Sequence, residues 1–276
     1  MTAQSGAAFW ARMKYAFIFL AVCLAPTSRA ALMTKPVAYE QGGVKLVGYL
    51  AYDDARASVA HPAPGVLVVH EWWGLNAYAK DRAEALAKLG YVAFAADMYG
   101  AGAATEDPKK AAELSAPFYG KPLMAERARA GLDRLLATGL VAPGKVAAIG
   151  YCFGGSAVQA LAYSGAPLAA VVSFHGIPVV PTDAQAEAIK GKMLICQGAL
   201  DPFVKPESLH AQLSALDRAG VDYEFVSYAG AVHAFTNPDA TRLAKAAGIS
   251  GIGYNEAAAR RSWRHMRDLF DEIFAH

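Results

Sequence analysis

The strongest fold signal in this chain is Gly150-Tyr151-Cys152-Phe153-Gly154-Gly155, which follows an apolar run at 146–149 and precedes small residues at 156–163. This order predicts a buried strand, a sharp turn and a helix. Glycines on both sides of the cysteine let strand and helix pass close together, which lifts Cys152 out of the sheet. The N–H groups that begin the helix favour a thiolate and can later hold an oxyanion. A glycine-rich turn with a buried structural cysteine stays open as the alternative, since one such match is weak.

Short apolar runs alternate with helical patterns on both sides of this turn. Strands are predicted at 43–50, 64–70, 91–97, 145–149, 168–174, 192–196 and 223–228. Helices are predicted at 76–90, 107–117, 122–138, 156–163, 206–220 and 259–273. The alternation predicts an α/β fold with a mainly parallel central sheet and helices on both faces. In such sheets the ligand site lies beyond the carboxyl ends of the strands.

The first thirty residues have the composition of a secretory signal peptide. Arg12 and Lys14 precede the apolar run 15–25, and Ser28-Arg29-Ala30 supplies small residues before cleavage after Ala30. The apolar run is too short to serve as a stable membrane anchor. We therefore expect a periplasmic or secreted protein with one domain over residues 31–276, with either Met1 or Met13 as the true start.

The charge balance argues against a nucleic-acid partner. The whole chain has 26 Lys and Arg against 24 Asp and Glu, and residues 1–30 hold three of the basic residues and no acidic one. Removing that segment leaves 23 against 24, a net charge of −1. No basic surface for nucleic acid is therefore expected.

The cysteines and histidines of the chain limit which disulfide, metal or cofactor chemistry can be expected. Cys152 and Cys196 remain after removal of residues 1–30, and Cys196 ends the apolar run 193–196, so it is interpreted as a core residue. A disulfide between the two is the rival to a catalytic thiol. The histidines outside the candidate site lack the spacing of metal ligands, so no metal or cofactor is expected.

Four reactive side chains directly follow predicted strands: Glu71, Cys152, Asp201 and His233. The order nucleophile, acid, histidine is that of the α/β-hydrolase triad. Cys152 would attack, His233 would serve as its base, and Asp201 would fix the tautomer of the imidazole. Taken singly, Asp201 fits an ordinary turn before Pro202 and His233 fits a semi-buried structural histidine.

Backbone groups complete this hypothesis. The N–H groups of Phe153 and Trp72 would form the oxyanion hole, because one follows the nucleophile and the other lies in the loop after an earlier strand. Trp73 and Phe235 also lie near the predicted site and fit an apolar acyl pocket. Packing at the edge of the sheet explains these aromatic residues equally well.

The chain resembles the dienelactone hydrolase family from about residue 40 to 275. Four ordered segments carry the resemblance: His70-Glu71-Trp72-Trp73-Gly74-Leu75-Asn76, Gly150-Tyr151-Cys152-Phe153-Gly154-Gly155, Gly198-Ala199-Leu200-Asp201-Pro202 and Gly230-Ala231-Val232-His233-Ala234-Phe235. The resemblance implies an α/β-hydrolase fold with Cys152, His233 and Asp201 as the triad. It also implies that Glu71 holds the resting thiol and takes its proton when substrate displaces it, which protects the thiol from oxidation.

Two departures from the family concern the substrate. Relatives that cleave dienelactone carry an arginine shortly after Asp-x-Tyr and another after His-x-Phe, where this chain has Ala101 and Asn237. The missing carboxylate clamps predict a different substrate, with Trp73, Tyr99, Phe235 and Asn237 as tentative pocket residues. The glycine-containing segment 239–254 is a candidate lid.

The expected function is hydrolysis of an ester-type bond (lactone, carboxylic ester or thioester) in a small molecule through acyl-Cys152. Within enzymes, the alternative to a lactonase is a carboxylesterase or thioesterase with an apolar acyl pocket. A non-catalytic binding or redox-sensing protein on the same fold is the alternative from another class.

Overall fold

The structure, a computed structural model, describes residues 31–275, so the predicted signal peptide at 1–30 lies outside the described residues. Eight strands form a single sheet: β1 (Leu32–Gln41), β2 (Val44–Asp53), β3 (Ala63–Val69), β4 (Val92–Ala96), β5 (Val141–Tyr151), β6 (Ala170–Phe174), β7 (Lys192–Gly198) and β8 (Tyr223–Tyr228). Their order in the sheet is β1-β2-β4-β3-β5-β6-β7-β8. Strand β2 pairs antiparallel with β1 and β4, and all pairings from β4 to β8 are parallel.

The helices of the described chain are α1 (Ala77–Lys88), α2 (Pro108–Ser115), α3 (Leu123–Leu136), α4 (Phe153–Tyr163), α5 (Asp183–Glu187), α6 (Pro206–Arg218), α7 (Ala240–Ala247) and α8 (Glu256–Phe274). The six helices predicted from the sequence are confirmed, as are the seven predicted strands. Strand β1 and the short helices α5 and α7 were not predicted. Strand β1 is a mostly exposed edge strand with Lys35 and Pro36 in its middle, so it lacks the apolar pattern of the others.

Alternate residues of the buried strands point to opposite faces of the sheet, each covered by helices. In β3, Val66 and Val68 face the core beneath α1 and α8, whereas Leu67 and Val69 face the core beneath α3 and α4. All four side chains are inaccessible to solvent. Burying a Val or Leu side chain contributes about 1.5–3 kcal/mol, and this two-sided burial explains why the strand is continuously apolar.

The turn between β5 and α4 requires two glycines. A Cβ atom on Gly154 would lie less than 3.0 Å from the carbonyl oxygens of Val69 and His70, and one on Gly150 would meet the Gly154 carbonyl equally closely. The absence of these side chains lets α4 begin directly above the ends of β3 and β5. The fold thereby brings the first N–H groups of α4 beside the loop after β3.

Replacing Gly154 with alanine is expected to lower the free energy of unfolding by at least about 1–3 kcal/mol, since the added methyl group collides with backbone rather than with a flexible side chain. Urea unfolding of the purified protein measures the change. Gly253→Ala is the control, because a Cβ atom there meets its nearest neighbours at an ordinary 3.5 Å. Equal stability of the two variants would contradict the close approach.

Candidate active site

Cys152 lies at the turn between β5 and α4 in a backbone conformation that non-glycine residues rarely adopt. It occupies the N-cap position of α4 with φ 54° and ψ −115°. Its N–H group donates to the carbonyl of Phe174 at 3.0 Å and to Nδ1 of His175 at 3.1 Å. The two acceptors hold this strained residue in place, so the thiol projects beyond the carboxyl end of the sheet.

His233 and Asp201 form a hydrogen-bonded row with the thiol. His233 Nε2 lies 3.1 Å from Cys152 Sγ, and Nδ1 donates to Asp201 Oδ2 at 2.7 Å. The bond to Asp201 fixes the proton on Nδ1 in the neutral ring and points Nε2 at sulfur. Burial lowers the pKa of His233, whereas a negative charge on Cys152 and the hydrogen bonds to Asp201 and Cys152 raise it, so the imidazolium is stabilised once the thiol proton has been transferred. The three residues expected from their order in the sequence are therefore brought together.

The segment Gly251 to Gly253 is hydrogen-bonded to His233 and borders the site. His233 N–H donates to the carbonyl of Gly251 at 3.1 Å, and Gly253 N–H donates to the carbonyl of His233 at 3.0 Å. Ile252, between these glycines, lines the space beside the triad. The candidate lid 239–254 contains α7 and a short strand-like pairing with His233.

Phe153 and Trp72 place two free backbone donors at the site. Within residues 31–275, neither N–H group has a hydrogen-bond acceptor. Tyr99, which was expected to line the pocket, instead lies behind this loop: its hydroxyl donates to the carbonyl of Trp72 at 3.1 Å and its ring packs on Phe153. The expectation for Tyr99 was wrong because its ring follows β4 into the aromatic cluster beneath the loop rather than into open space.

Glu71 is buried at the same end of the sheet, with 3% of its surface exposed. Its Oε2 accepts a hydrogen bond of 2.7 Å from Asn237 Nδ2. Burial raises the pKa of Glu71 to about 7, against the opposing effects of the Asn237 hydrogen bond and the charge of His233. The family resemblance implied that this carboxylate holds the resting thiol; in the structure the thiol contacts His233 instead.

The raised pKa of Glu71 makes stability depend on pH in a defined direction. Because the folded state binds this proton more tightly than the unfolded chain does, the contribution of the neutral carboxyl is complete below pH 4.5 and is lost as pH rises through about 7. Glu71→Gln cannot ionise at this position. Its free energy of unfolding should therefore rise relative to that of the wild type by about 3 kcal/mol as pH increases from 4.5 to 8. Urea unfolding at several pH values measures it.

Glu187→Gln, which removes an exposed carboxylate, is the matched control for this substitution. A stability difference between Glu71→Gln and the wild type that stays constant over the same pH range would show that Glu71 does not titrate there.

His175 is a component of the site that the sequence analysis missed. It is fully buried, follows β6 directly and has a φ of 42°. Since Nδ1 accepts from Cys152, Nε2 carries the proton and donates to Thr236 Oγ1 at 2.7 Å, which also accepts from the Tyr78 hydroxyl. Burial and the nearby charge of His233 lower the pKa of His175, so it stays neutral. Its position after a buried strand was the available signal, but it had been considered only as a metal ligand.

Thr236→Val is expected to leave two buried donors, on His175 and Tyr78, without their acceptor. Each orphaned group costs about 1–3 kcal/mol, so the free energy of unfolding should fall by at least that amount, with a drop in kcat as His175 loses its anchor. Thr241→Val is the control, because its hydroxyl accepts from an exposed backbone N–H. Similar stability and turnover for both variants would exclude this role.

Two connected spaces adjoin the thiol, and both touch Trp72, Cys152, His233 and Ile252. The apolar cleft has a volume of about 220 Å³ and is further lined by Tyr119, Ile177, Phe203 and Ile249. The second space, of about 10 Å³, is further lined by Glu71, Trp73, Ala234, Asn237, Ala240 and Leu243, and we call it the polar recess for Glu71 and Asn237, although most of its surface is apolar. The first has room for an organic substituent, and the second for one water-sized group.

Of the other expected pocket residues, Trp73 and Asn237 line the recess, whereas Phe235 does not reach either space. Phe235 is fully buried and packs edge-on to His175 and against Tyr228. The backbone turns between these residues, with Ala234 at a φ of 57°, so the Phe235 side chain enters the core instead of following His233 to the site.

Cys152 and Cys196 are both free thiols. Cys196 is fully buried, its Sγ lies 3.4 Å from the Tyr228 hydroxyl, and burial raises the pKa of its thiol to about 12. Among residues 31–275, no group of three His, Cys, Asp or Glu side chains is arranged to hold a metal ion. In the same residues no helix is long and apolar enough to cross a membrane.

The mostly parallel eight-stranded sheet, its helical layers and the strand-turn-helix at Cys152 define an α/β-hydrolase fold. The chain belongs to the dienelactone hydrolase family, whose model matches residues 48–274. It is accordingly a hydrolase of ester bonds, and its substrate is a small molecule.

Three relatives illustrate the similarity. A dienelactone hydrolase-like promiscuous phosphotriesterase from metagenomic libraries is 39% identical, with a TM-score of 0.83, over 88% of this chain and 99% of that one. The structure called m3DLH is 38% identical with the same TM-score and coverage. Protein usf of Aquifex pyrophilus is 32% identical over 211 residues, which span 74% of this chain and 88% of that protein.

Proposed function

We propose that the protein hydrolyses a neutral ester, lactone or thioester through an acyl-Cys152 intermediate. The observation that carries the proposal is the hydrogen-bonded row of Cys152, His233 and Asp201 at the edge of an apolar cleft. A base within 3.1 Å of the thiol, itself oriented by a buried carboxylate, is the arrangement that nucleophilic catalysis requires.

Acylation assigns one task to each residue. His233 Nε2 takes the thiol proton, and the sulfur of Cys152 attacks the carbonyl carbon of the substrate. The tetrahedral oxyanion accepts hydrogen bonds from the N–H groups of Phe153 and Trp72, which have no other acceptor in the described chain. Collapse of this intermediate breaks the bond to the leaving group, which receives the proton from His233, while Asp201 stabilises the transient imidazolium.

The lining of the apolar cleft supports a neutral substrate. None of its residues is a lysine or arginine, and the other space beside the thiol contains the carboxyl group of Glu71. A substrate carboxylate would find no lysine or arginine there and would lose hydration on entering. With Ala101 and Asn237 at the positions of the family arginines, the site favours uncharged acyl groups and an apolar leaving group.

We also propose a cellular location for the enzyme. The composition of residues 1–30 supports export to the periplasm or the exterior, with a mature domain over 31–276 that binds neither nucleic acid nor a membrane stably. The rival redox-sensing function would use a bridge between Cys152 and Cys196. Their free thiols and the hydrogen bond of Cys196 to Tyr228 favour the enzyme.

Cys152→Ala is expected to reduce kcat/KM by about 10⁴-fold or more, because the bond-forming atom is removed. The assay uses p-nitrophenyl esters, lactones and acyl thioesters, each with paired neutral and anionic members. A neutral phosphotriester is included because the relative from metagenomic libraries is named for that activity. Intact-mass spectrometry should detect one acyl adduct on the wild type and none on Cys152→Ala.

Cys196→Ala is the matched control, since it removes the other described cysteine and should keep both the adduct and the activity. Retained activity in Cys152→Ala would refute the nucleophile. A clear preference for the anionic substrates would refute the argument from the cleft lining.

A further inference from the structure

The polar recess contains a carboxyl group that the acylation step does not use. Glu71 and Cys152 both line it, together with His233 and Asn237. The thiol already has a base at 3.1 Å in His233, and Glu71 has its hydrogen bond from Asn237. The carboxyl group is therefore available for a different step at the same sulfur.

The size and chemistry of the recess define what it can take. A volume of about 10 Å³ is close to the minimum that holds one water molecule and is far too small for an acyl chain. Water needs two or more polar partners to be held in a protein interior. Glu71 and Asn237 supply a carboxyl oxygen pair and an amide in a wall that is otherwise formed mainly by Trp73 and aliphatic side chains.

Resting on the acyl-cysteine mechanism above, we propose that Glu71 is the general base of deacylation, acting on a water molecule held in the polar recess by Glu71 and Asn237. The apolar cleft then serves the organic parts of the substrate, and the recess serves the second substrate, water.

Deacylation transfers the acyl group from Cys152 to water. The Glu71 carboxylate takes one proton from the water as its oxygen bonds to the carbonyl carbon of acyl-Cys152. The resulting oxyanion rests on the Phe153 and Trp72 N–H groups and then collapses, which breaks the carbon–sulfur bond and releases the carboxylic acid. Cys152 leaves as a thiolate, and the proton on Glu71 returns across the recess to this sulfur, which restores the resting thiol and the Glu71 carboxylate.

The surroundings of Glu71 suit a base that works near neutral pH. Its hydrogen-bond partner Asn237 is uncharged, and no lysine or arginine of residues 31–275 forms an ion pair with it. The titratable groups that face it are His233 and Cys152 across the recess, with Tyr78 of α1 and Tyr151 of β5 on the side of the core. Burial raises the pKa of Glu71 to about 7, and such a carboxylate is a stronger base than an exposed one.

The test is pre-steady-state kinetics of Glu71→Gln with an activated neutral p-nitrophenyl ester. The variant should keep a stoichiometric burst of p-nitrophenol, while its steady-state rate falls by about 10²-fold or more, within the range for loss of a general base. Acyl-Cys152 should accumulate, as measured by intact mass. Hydroxylamine, which attacks thioesters without a protein base, should restore turnover in the variant.

A pH series separates the proposal from a structural effect of the substitution. The deacylation rate of the wild type should rise with pH through about 7, and this rise should be absent in Glu71→Gln. Asn237→Leu, which removes the amide partner but keeps the base, should raise the pH of that transition or slow deacylation while leaving the burst intact. The burst amplitude counts correctly folded sites in every variant.

Three outcomes would overturn the inference. If Glu71→Gln loses both the burst and the steady-state turnover, the Glu71 carboxylate acts on the Cys152 thiol during acylation. The second outcome is that Glu71 takes no part in deacylation, which would be shown by unchanged steady-state turnover in the variant or by a wild-type pH transition that persists in it. Absence of any acyl adduct on the wild type would refute the acyl-Cys152 mechanism itself, a different failure from the first two.

Discussion

The close passage of α4 over the ends of β3 and β5 constrains every other part of the site. Because neither Gly150 nor Gly154 has a side chain, the first turn of α4 reaches the backbone carbonyls at the end of β3. That contact sets the Phe153 N–H near the Trp72 loop and forces Cys152 into its positive φ. His175, from the neighbouring strand, then caps the cysteine N–H from below. The backbone of Cys152 is thereby held by the bonds of its N–H group to Phe174 and His175.

Three chemically distinct surroundings meet at the sulfur. The row through His233 to Asp201 is polar and buried, the apolar cleft has no lysine, arginine or carboxylate in its lining, and the recess contains a single carboxyl group. Two of the ionisable groups have raised pKa values for different reasons. For His233 the charges and hydrogen bonds of Cys152 and Asp201 outweigh its burial, whereas for Glu71 burial outweighs the Asn237 hydrogen bond and the nearby charge of His233. In the proposed mechanism this contrast separates activation of the thiol from activation of water.

Sequence patterns were sufficient for the parts of the structure that depend on burial and order. Strands β3 and β4 are continuously apolar because both of their faces are covered, and the positions of Cys152, Asp201 and His233 follow from the rule that ligands meet the carboxyl ends of strands. Strand β1 escaped prediction because its stability comes from pairing with β2 across Gly42-Gly43, a turn signal without a matching hydrophobic pattern. The directions of Tyr99 and Phe235 were mistaken, since motif proximity does not fix where a side chain points. The Glu71 to Asn237 bond joins residues 166 positions apart and becomes visible only in three dimensions.

The tether between His233 and the Gly251 to Gly253 segment has an evolutionary consequence. Ile252 belongs at once to the substrate cleft and to the strand-like pairing that holds the histidine. A mutation there that enlarges the cleft also displaces the base, so gains in substrate range on this wall come at the expense of turnover. Tyr119 lines the same cleft from the loop between α2 and α3, which forms no hydrogen bond with Cys152, His233 or Asp201. Divergence in substrate preference within this lineage is therefore easiest on that opposite wall, where selection can vary recognition while the machinery of hydrolysis stays untouched.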